Sequence, residues 1–309
     1  MLTFSIVTPT LNASRFVSEA MDSILSQQYA ALEYWVMDGG STDDTLQILE
    51  GYTNRLRWIT WDGLGQSAAI NHGWQQTKGE IISWLNADDV LLPGAIARVA
   101  AYFESHPEVD IVYGDCDYID PGGGFIRPYP TRAFSYLNLV RNAFNYLPQP
   151  AVFMRRGVLT RVGLLDESLH YAMDFDYWLR AGLSCNLAHV PDRLAAMRLH
   201  PDAKSIAGLP KFAPELVIAY QKLYNISDLP HAVENVKFRA MSNIYYRACD
   251  CAYWGGDLKE ARRYARTAWC WAPLNLRRQL WLALLGRPAR TVLLQLRGNP
   301  HTRWSRPHE

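Results

Sequence analysis

Apolar positions in the first hundred residues switch repeatedly between two spacings. Phe4-Ser5-Ile6-Val7-Thr8 reads as a strand. Phe16, Val17, Ala20, Met21, Ile24 and Leu25 then fall on one helical face, with Ser14 placed to cap the N-terminus. The alternation continues with a strand at 34–37, a helix from 45, a strand at 56–61, a helix at 67–76 and a strand at 81–85. Repeated strand–helix units with short connections predict a parallel sheet covered by helices. A helix at 94–104 and a strand at 110–114 follow, and Asp120-Pro121-Gly122-Gly123-Gly124 then breaks the chain. A mixed region runs to about Pro201, with one strong helix at 175–181. From Lys211 the pattern is helical to near Gly298, punctuated by Gly255-Gly256, Pro273 and Gly286.

Polar clusters fall where the first four strands should end. They are Thr8-Pro9-Thr10-Leu11-Asn12, Asp38-Gly39-Gly40-Ser41-Thr42-Asp43-Asp44, Asp62-Gly63-Leu64-Gly65-Gln66 and Asn86-Ala87-Asp88-Asp89. Open α/β sheets bind ligands at these carboxyl ends. Any one cluster could be a cap or a turn; four in succession point to a ligand. Aspartate there can accept from a base N–H or a ribose hydroxyl, and Gly39, Gly40 and Gly65 allow backbone to approach a nucleotide. Asp88 and Asp89, after the apolar run Ile81-Ile82-Ser83-Trp84-Leu85, are placed for a hard divalent cation that can neutralise a diphosphate. The competing assignment is a cap or turn ahead of Val90-Leu91-Leu92-Pro93. The chain contains no Gly-x-Gly-x-x-Gly and no Walker sequence, which excludes the dinucleotide fingerprint and the P-loop.

Composition adds a charge asymmetry. The 309 residues carry a net +1, but from Ala261 to Glu309 there are ten Arg, no Lys and one acidic residue, a net of +9. The preceding 260 residues hold 21 basic and 29 acidic residues, a net of −8. A basic tail on an acidic body implies an anionic partner. The tail's arginines alternate with Leu and Trp at helical spacing: Leu274, Leu276, Leu280, Trp281, Leu284 and Leu285 share a face flanked by Arg277, Arg278 and Arg287. That pattern suits an anionic membrane surface or a packed helical hairpin better than nucleic acid. Five cysteines with no Cys-x-x-Cys pair suit a reducing compartment. The N-terminal segment lacks the basic start of a signal peptide, and no apolar run is long enough to span a membrane. The expected location is cytoplasmic, at the periphery of the inner membrane face.

Taken in order, the motifs resemble the inverting family 2 glycosyltransferases of GT-A fold. They are Ile6-Val7-Thr8-Pro9-Thr10-Leu11-Asn12, Asp38-Gly39-Gly40-Ser41-Thr42-Asp43, Gly65-Gln66-Ser67-Ala68-Ala69-Ile70-Asn71-His72-Gly73, Leu85-Asn86-Ala87-Asp88-Asp89, Tyr113-Gly114-Asp115 and Met173-Asp174-Phe175-Asp176-Tyr177-Trp178-Leu179-Arg180. The resemblance implies an α/β GT-A-type domain with a mostly parallel sheet at 1–208, a nucleotide half to about 115 and an acceptor half beyond, then a helical region at 209–309. It implies donor binding by Thr8, Pro9, Thr10, Asn12, Asp38, Ser41, Gly65, Gln66, Asn71, Asn86 and Ala87. It makes Asp88 the main ligand of Mg²⁺ or Mn²⁺, with His200 of Arg198-Leu199-His200 able to reach the metal or diphosphate, and Asp174 the catalytic base. The implied partners are a nucleotide-sugar donor, UDP-linked, and a glycan or lipid-linked acceptor. Asn86 replaces the first acid of the family's Asp-x-Asp, removing one negative charge, and Ala68 replaces a frequent acid of the third motif.

From the residues alone, Asp174 reads first as a helix-start acid favoured by the dipole, and Asp176, two positions on, is structural. Trp84 and Trp178 read as core. Two other functions compete with transfer: a non-catalytic sugar-nucleotide or carbohydrate-binding protein on the same fold, and a sugar nucleotidyltransferase. The second should carry a Gly-rich basic loop after its first strand, and Thr8 to Asn12 has neither Lys nor Gly.

Overall fold

The computed structural model describes residues 1–63 and 65–273. The described chain forms two units. The first comprises 1–136 and 145–203; the second comprises 137–144 and the chain from Lys204. In the first unit the elements are β1 (Phe4–Thr10), α1 (Val17–Leu25), β2 (Leu32–Asp38), α2 (Thr45–Glu50), β3 (Arg57–Thr60), α3 (Gln66–Gln76), β4 (Ile81–Trp84), β5 (Val90–Leu91), α4 (Ala95–Ser105), β6 (Ile111–Ile119) and β7 (Phe125–Pro128). After α5 (Tyr136–Asn142), which passes into the second unit, come a 3₁₀ turn (Gln149–Ala151), β8 (Val152–Arg155), α6 (Gly157–Val162), α7 (Met173–Ala181) and β9 (Leu187–Arg198).

All nine strands join one sheet in the order β3-β2-β1-β4-β8-β6-β9-β5, with β7 paired to β6. The first four are parallel, as the alternating pattern requires. Their apolar runs follow from burial on both faces: all seven positions of β1 are buried. The chain winds from β1 through β2 to β3 on one side and returns to place β4 on the other. This reversal opens a crevice at the carboxyl ends of β1 and β4. The second half of the sheet is mixed: β8 runs antiparallel to β4 and β6, and β9 runs parallel to β6 and antiparallel to β5.

The core lies between sheet and helices. Val17, Ala20, Met21 and Ile24 of α1 and Ile96, Val99, Ala100 and Phe103 of α4 are buried. Helix α3 sits directly on β1, because position 73 is glycine; a Cβ there would stand 2.5 Å from Val7 Cγ1. Trp84 and Trp178 are core residues stacked at 5.8 Å.

Two local expectations change. Ser14 does not cap α1, whose N-cap is Phe16 without a side-chain bond; the Ser14 N–H donates instead to Asp43 Oδ2 at 3.1 Å. The turn expected ahead of Val90 is present at Ala87-Asp88, and Val90-Leu91 then forms a short strand on β9. Strand β6 runs five residues past Gly114, with Asp115 paired to His189 (2.7 Å) and Asp117 to Arg193 (3.4 Å) of β9.

The second unit contains α8 (Lys204–Ala207), α9 (Leu209–Tyr224), α10 (His231–Glu234), α11 (Lys237–Trp254) and α12 (Leu258–Trp271). Ala213, Val217, Cys249, Ala252, Tyr253, Tyr264 and Ala265 belong to its core. Asp257 caps α12 by accepting from the Glu260 N–H at 3.0 Å. Arg262, Arg266 and Trp269 are exposed on α12. No helix among the described residues is long and apolar enough to cross a membrane.

Candidate active site

The loops leaving β1 and β2 are bonded to each other. Asn12 Oδ1 accepts from the Thr42 N–H (2.8 Å), the Asn12 N–H donates to Ser41 Oγ (2.8 Å), and the Ala13 N–H donates to Thr45 Oγ1 (2.9 Å). Asp38 is fully buried and shapes this loop: its Oδ2 accepts from the Gly40 and Ser41 N–H groups, each at 3.0 Å, and its Oδ1 from the Ser41 hydroxyl. Gly40 takes φ +93°, where a side chain would strain the backbone and its Cβ would meet Asp62. Burial raises the Asp43 carboxyl, but hydrogen bonds from Thr45 and Ser14 outweigh it and bring the group down to about 2.

These bonds correct several donor-site expectations. Thr8 is buried with its hydroxyl bonded to Tyr34 OH at 2.9 Å, and Pro9 is buried beside it. The Thr8 hydroxyl is thus already partnered inside the fold. The carboxylate of Asp38 is engaged by its own turn, so a base or ribose would have to share it. Thr10 is buried with no partner for its hydroxyl, and Asn12 is exposed.

At the end of β4, four side chains make a connected set. Gln66 Nε2 donates to Asn86 Oδ1 (2.8 Å), and Asn86 Nδ2 donates to Asp89 Oδ2 (3.1 Å) and Gln149 Oε1 (3.0 Å). Gln149 Nε2 donates to the Trp84 carbonyl (2.7 Å). The Asn86 carbonyl therefore already has a donor. Asp89 is buried and accepts from the Arg198 N–H at 3.0 Å; burial, and then the charge of Asp88, push its carboxyl well above the ordinary range. Ala87 is buried between them.

Asp88 is the carboxylate that reaches outward, with 31% of its side chain exposed. Its Oδ2 lies 3.0 Å from His200 Nε2. His200 rests on the Phe16 ring at 4.8 Å, and the buried Arg198 guanidinium lies over the same ring at 5.0 Å. Arg198 ties the loop in place, donating to the carbonyls of Asp88, Asp120 and Pro121 and to Glu19 Oε2.

Among the described residues no group of three His, Cys, Asp or Glu could hold a metal by itself. A cation on Asp88 would be completed by diphosphate oxygens and water, which suits Mg²⁺ or Mn²⁺. Asp88 fits that role. His200 fits it less well, because its Nδ1 is buried without a hydrogen-bond partner. Ligation through Nε2 would place the proton on Nδ1 as a buried donor with no acceptor, against the usual second-shell support. The arrangement suits donation from Nε2 to Asp88.

The first turn of α3 joins this loop to the segment that carries Asp174. Gln66 reaches Asn86, while its neighbour Ser67 donates to the Leu169 carbonyl at 2.8 Å. Gly65, the N-cap of α3, faces His170; a Cβ there would meet the ring at 3.7 Å. Asn71 was expected at the nucleotide. It is buried and bonded instead to Leu165 by both amide groups (2.9 Å each) and to Glu167 Oε1 (3.0 Å). It therefore fixes the approach to α7.

Asp174 lies in the first turn of α7, partly exposed. Its Oδ1 accepts from the Phe175 N–H (2.7 Å) and its Oδ2 from Asn145 Nδ2 (2.9 Å). Burial nevertheless raises its carboxyl to about 6. Asp176 is structural, paired with Arg180 at 2.9 Å. Tyr118 and Tyr129 stand 5.3 Å apart, the Tyr118 phenol feeling the charge of Asp89 and that of Tyr129 the charge of Asp174. Gln149, Asn145 and the tyrosine pair were not singled out from sequence. Gln149, set between two prolines in an apolar stretch, carried the clearest signal.

The family model of glycosyl transferase family 2 matches residues 5–168. The chain belongs to glycosyl transferase family 2. An uncharacterized glycosyltransferase of Rickettsia felis is 26% identical over 80% of this chain and 44% of its own length. The O-antigen biosynthesis protein RfbC of Myxococcus xanthus is 32% identical over 62% of this chain and 15% of its own length. The chain thus spans less than half the length of either relative. Among solved structures, S. aureus TarS 1–349 superposes with a TM-score of 0.66 at 19% identity, covering 92% of this chain and 87% of that one. The mannosyltransferase PcManGT from Pyrobaculum calidifontis, in complex with GDP-Man and Mn²⁺, gives 0.63 at 19% identity, covering 98% and 83%. These likenesses show the GT-A fold, as the motif resemblance implied. The family match ends before Asp174 and His200, so both rest on geometry and on the motif resemblance.

Proposed function

We propose that the protein is an inverting, metal-dependent glycosyltransferase that moves a sugar from a UDP-linked donor to a hydroxyl of a glycan or lipid-linked acceptor in cell-surface polysaccharide synthesis. The observation that carries the reading is Asp174: a partly exposed carboxylate whose surroundings raise it to about 6, held at the start of α7 by the Phe175 N–H and the Asn145 amide. A base poised near neutrality is what proton abstraction from a sugar hydroxyl needs. A structure of TarS 1–349 in complex with UDP-GlcNAc supports a nucleotide-sugar donor, and RfbC supports a polysaccharide context.

The anomeric carbon is attacked once, from the face opposite the diphosphate, so its configuration inverts. Asp174 accepts the acceptor's proton as the new glycosidic bond forms. A cation held by Asp88 would counter the charge developing on the departing diphosphate. His200, donating to Asp88, orients that carboxylate. Asn86, Gln66 and Gln149 keep the loop in shape without adding charge. The loops at Asp38–Ser41 and Thr10–Asn12 present backbone to the nucleoside.

The basic tail continues the exposed Arg262, Arg266 and Trp269 of α12 and would hold the enzyme at the cytoplasmic face of an anionic membrane; residues 274–309, which carry most of it, lie outside the described residues. A screen for nucleotide release from sugar donors, with Mn²⁺ or Mg²⁺ and with EDTA, tests the central reading. Donor binding without turnover by any acceptor, water included, would favour a non-catalytic binder on the same fold.

A further inference from the structure

Asn145 lies between α5 and the 3₁₀ turn. Its Oδ1 accepts from the Leu147 N–H (3.2 Å) and its backbone carbonyl accepts from Tyr129 OH (3.1 Å). With Oδ1 committed to an N–H, the amide nitrogen is the group turned to Asp174, where Nδ2 donates to Oδ2 at 2.9 Å. The Phe175 N–H holds the other oxygen at 2.7 Å. An ionised carboxylate offers about four lone-pair sites, so sites remain open to take a proton.

We propose that Asn145 is a positioning residue for Asp174: its amide, itself clamped by Leu147 and Tyr129, fixes one carboxylate oxygen so that the remaining lone pairs face the acceptor hydroxyl. The proposal rests on the reading of Asp174 as the base and adds what orients that base.

The groups around Asp174 allow the effect to be isolated. Tyr129 approaches from the segment after β7, and burial keeps its phenol neutral, well above its ordinary value. Tyr118 of β6 lies behind it, raised by burial to about 12, with the Arg127 guanidinium over its ring at 4.4 Å. On α7 itself Asp176 is paired with Arg180, and the exposed His170 precedes the helix. Between about pH 5 and 8 neither tyrosine changes charge, and His170 is the same in every variant compared. The Asn145 bond favours the ionised form of Asp174. Removing it leaves burial opposed only by the backbone N–H groups of Phe175 and of Asp174 itself, so the group should hold its proton to higher pH, by about one unit.

Two measurements test this. The first needs no substrate: urea unfolding across pH for the wild type and Asp174→Asn, repeated in Asn145→Ala and Asn145→Asp backgrounds. The stability gap between each pair reports where Asp174 titrates in the folded protein. The expected midpoint is near pH 6 in the wild type, about one unit higher with Asn145→Ala, and higher again with Asn145→Asp, which sets a second carboxylate against the first. The second is the pH profile of nucleotide release from UDP-GlcNAc and GDP-mannose with Mn²⁺ and water as acceptor. Its acid limb should move by the same amount, lowering kcat several-fold near pH 6.5 with KM for the donor unchanged. Midpoints that stay in place in both Asn145 variants overturn the proposal. Midpoints that move while Asp174→Asn leaves release intact keep the Asn145–Asp174 pair and overturn the base assignment instead.

Discussion

Replacing Asp174 with Asn should make a protein that is more stable and inactive. In the fold this carboxyl is raised from its ordinary 3.8 to about 6, chiefly by burial, so ionising it is harder in the folded state than in the unfolded chain. Two units at about 1.4 kcal/mol each give a penalty of about 3 kcal/mol near neutral pH. Asn removes that penalty, still accepts from the Phe175 N–H, and loses the bond from Asn145, worth about 1 kcal/mol. The net gain is about 1–2 kcal/mol, or a rise in Tm of a few degrees. The folded-state value lies above the unfolded one, so the wild-type penalty is complete above pH 6 and disappears as pH falls below the ordinary 3.8. Urea unfolding should therefore separate the two proteins at pH 7.5 and bring them together near pH 4. Transfer should fall by about 10² to 10⁴ while donor affinity holds. A variant less stable than wild type at pH 7.5, by an amount that does not change with pH, would refute the reasoning, as would near wild-type transfer.

Other perturbations separate the parts of the site. Asp88→Ala should abolish the Mn²⁺-dependent part of UDP binding in calorimetry; unchanged affinity would move the metal role elsewhere. Arg198→Leu removes a buried guanidinium that donates to three carbonyls and Glu19, and should cost about 3 kcal/mol in urea unfolding, with weaker UDP binding as the Asp88 loop loosens. The 309-residue chain should float with liposomes containing anionic lipid, and a chain ending near Trp271 should float less; if both remain soluble at low salt, the tail does not hold the enzyme to membranes.

The nucleotide half was legible because doubly buried parallel strands advertise themselves: β1, β2 and β4 are runs of apolar residues, and helices α1 and α3 have apolar faces between them. The second half of the sheet was not. Strand β7 is mostly exposed, β5 is two residues long, and β6 carries Asp115 and Asp117 at positions whose partners on β9 lie more than seventy residues away. Residue type also does not tell direction. Asn71 and Asp38 stand in motifs that suggest a ligand, yet one anchors a neighbouring segment and the other folds its own turn. Asn145 carries no local pattern at all; only the fold brings it to Asp174.

Gln66 and Ser67 are consecutive, and between them they grip two loops on different sides of the reaction, the one ending in Asp88–Asp89 and the one leading to Asp174. On the proposed roles of Asp88 and Asp174, leaving-group support and proton acceptance are therefore not separable modules. A substitution that rotates the start of α3 must disturb both, so natural or engineered changes of donor preference made at this turn will carry a cost in turnover.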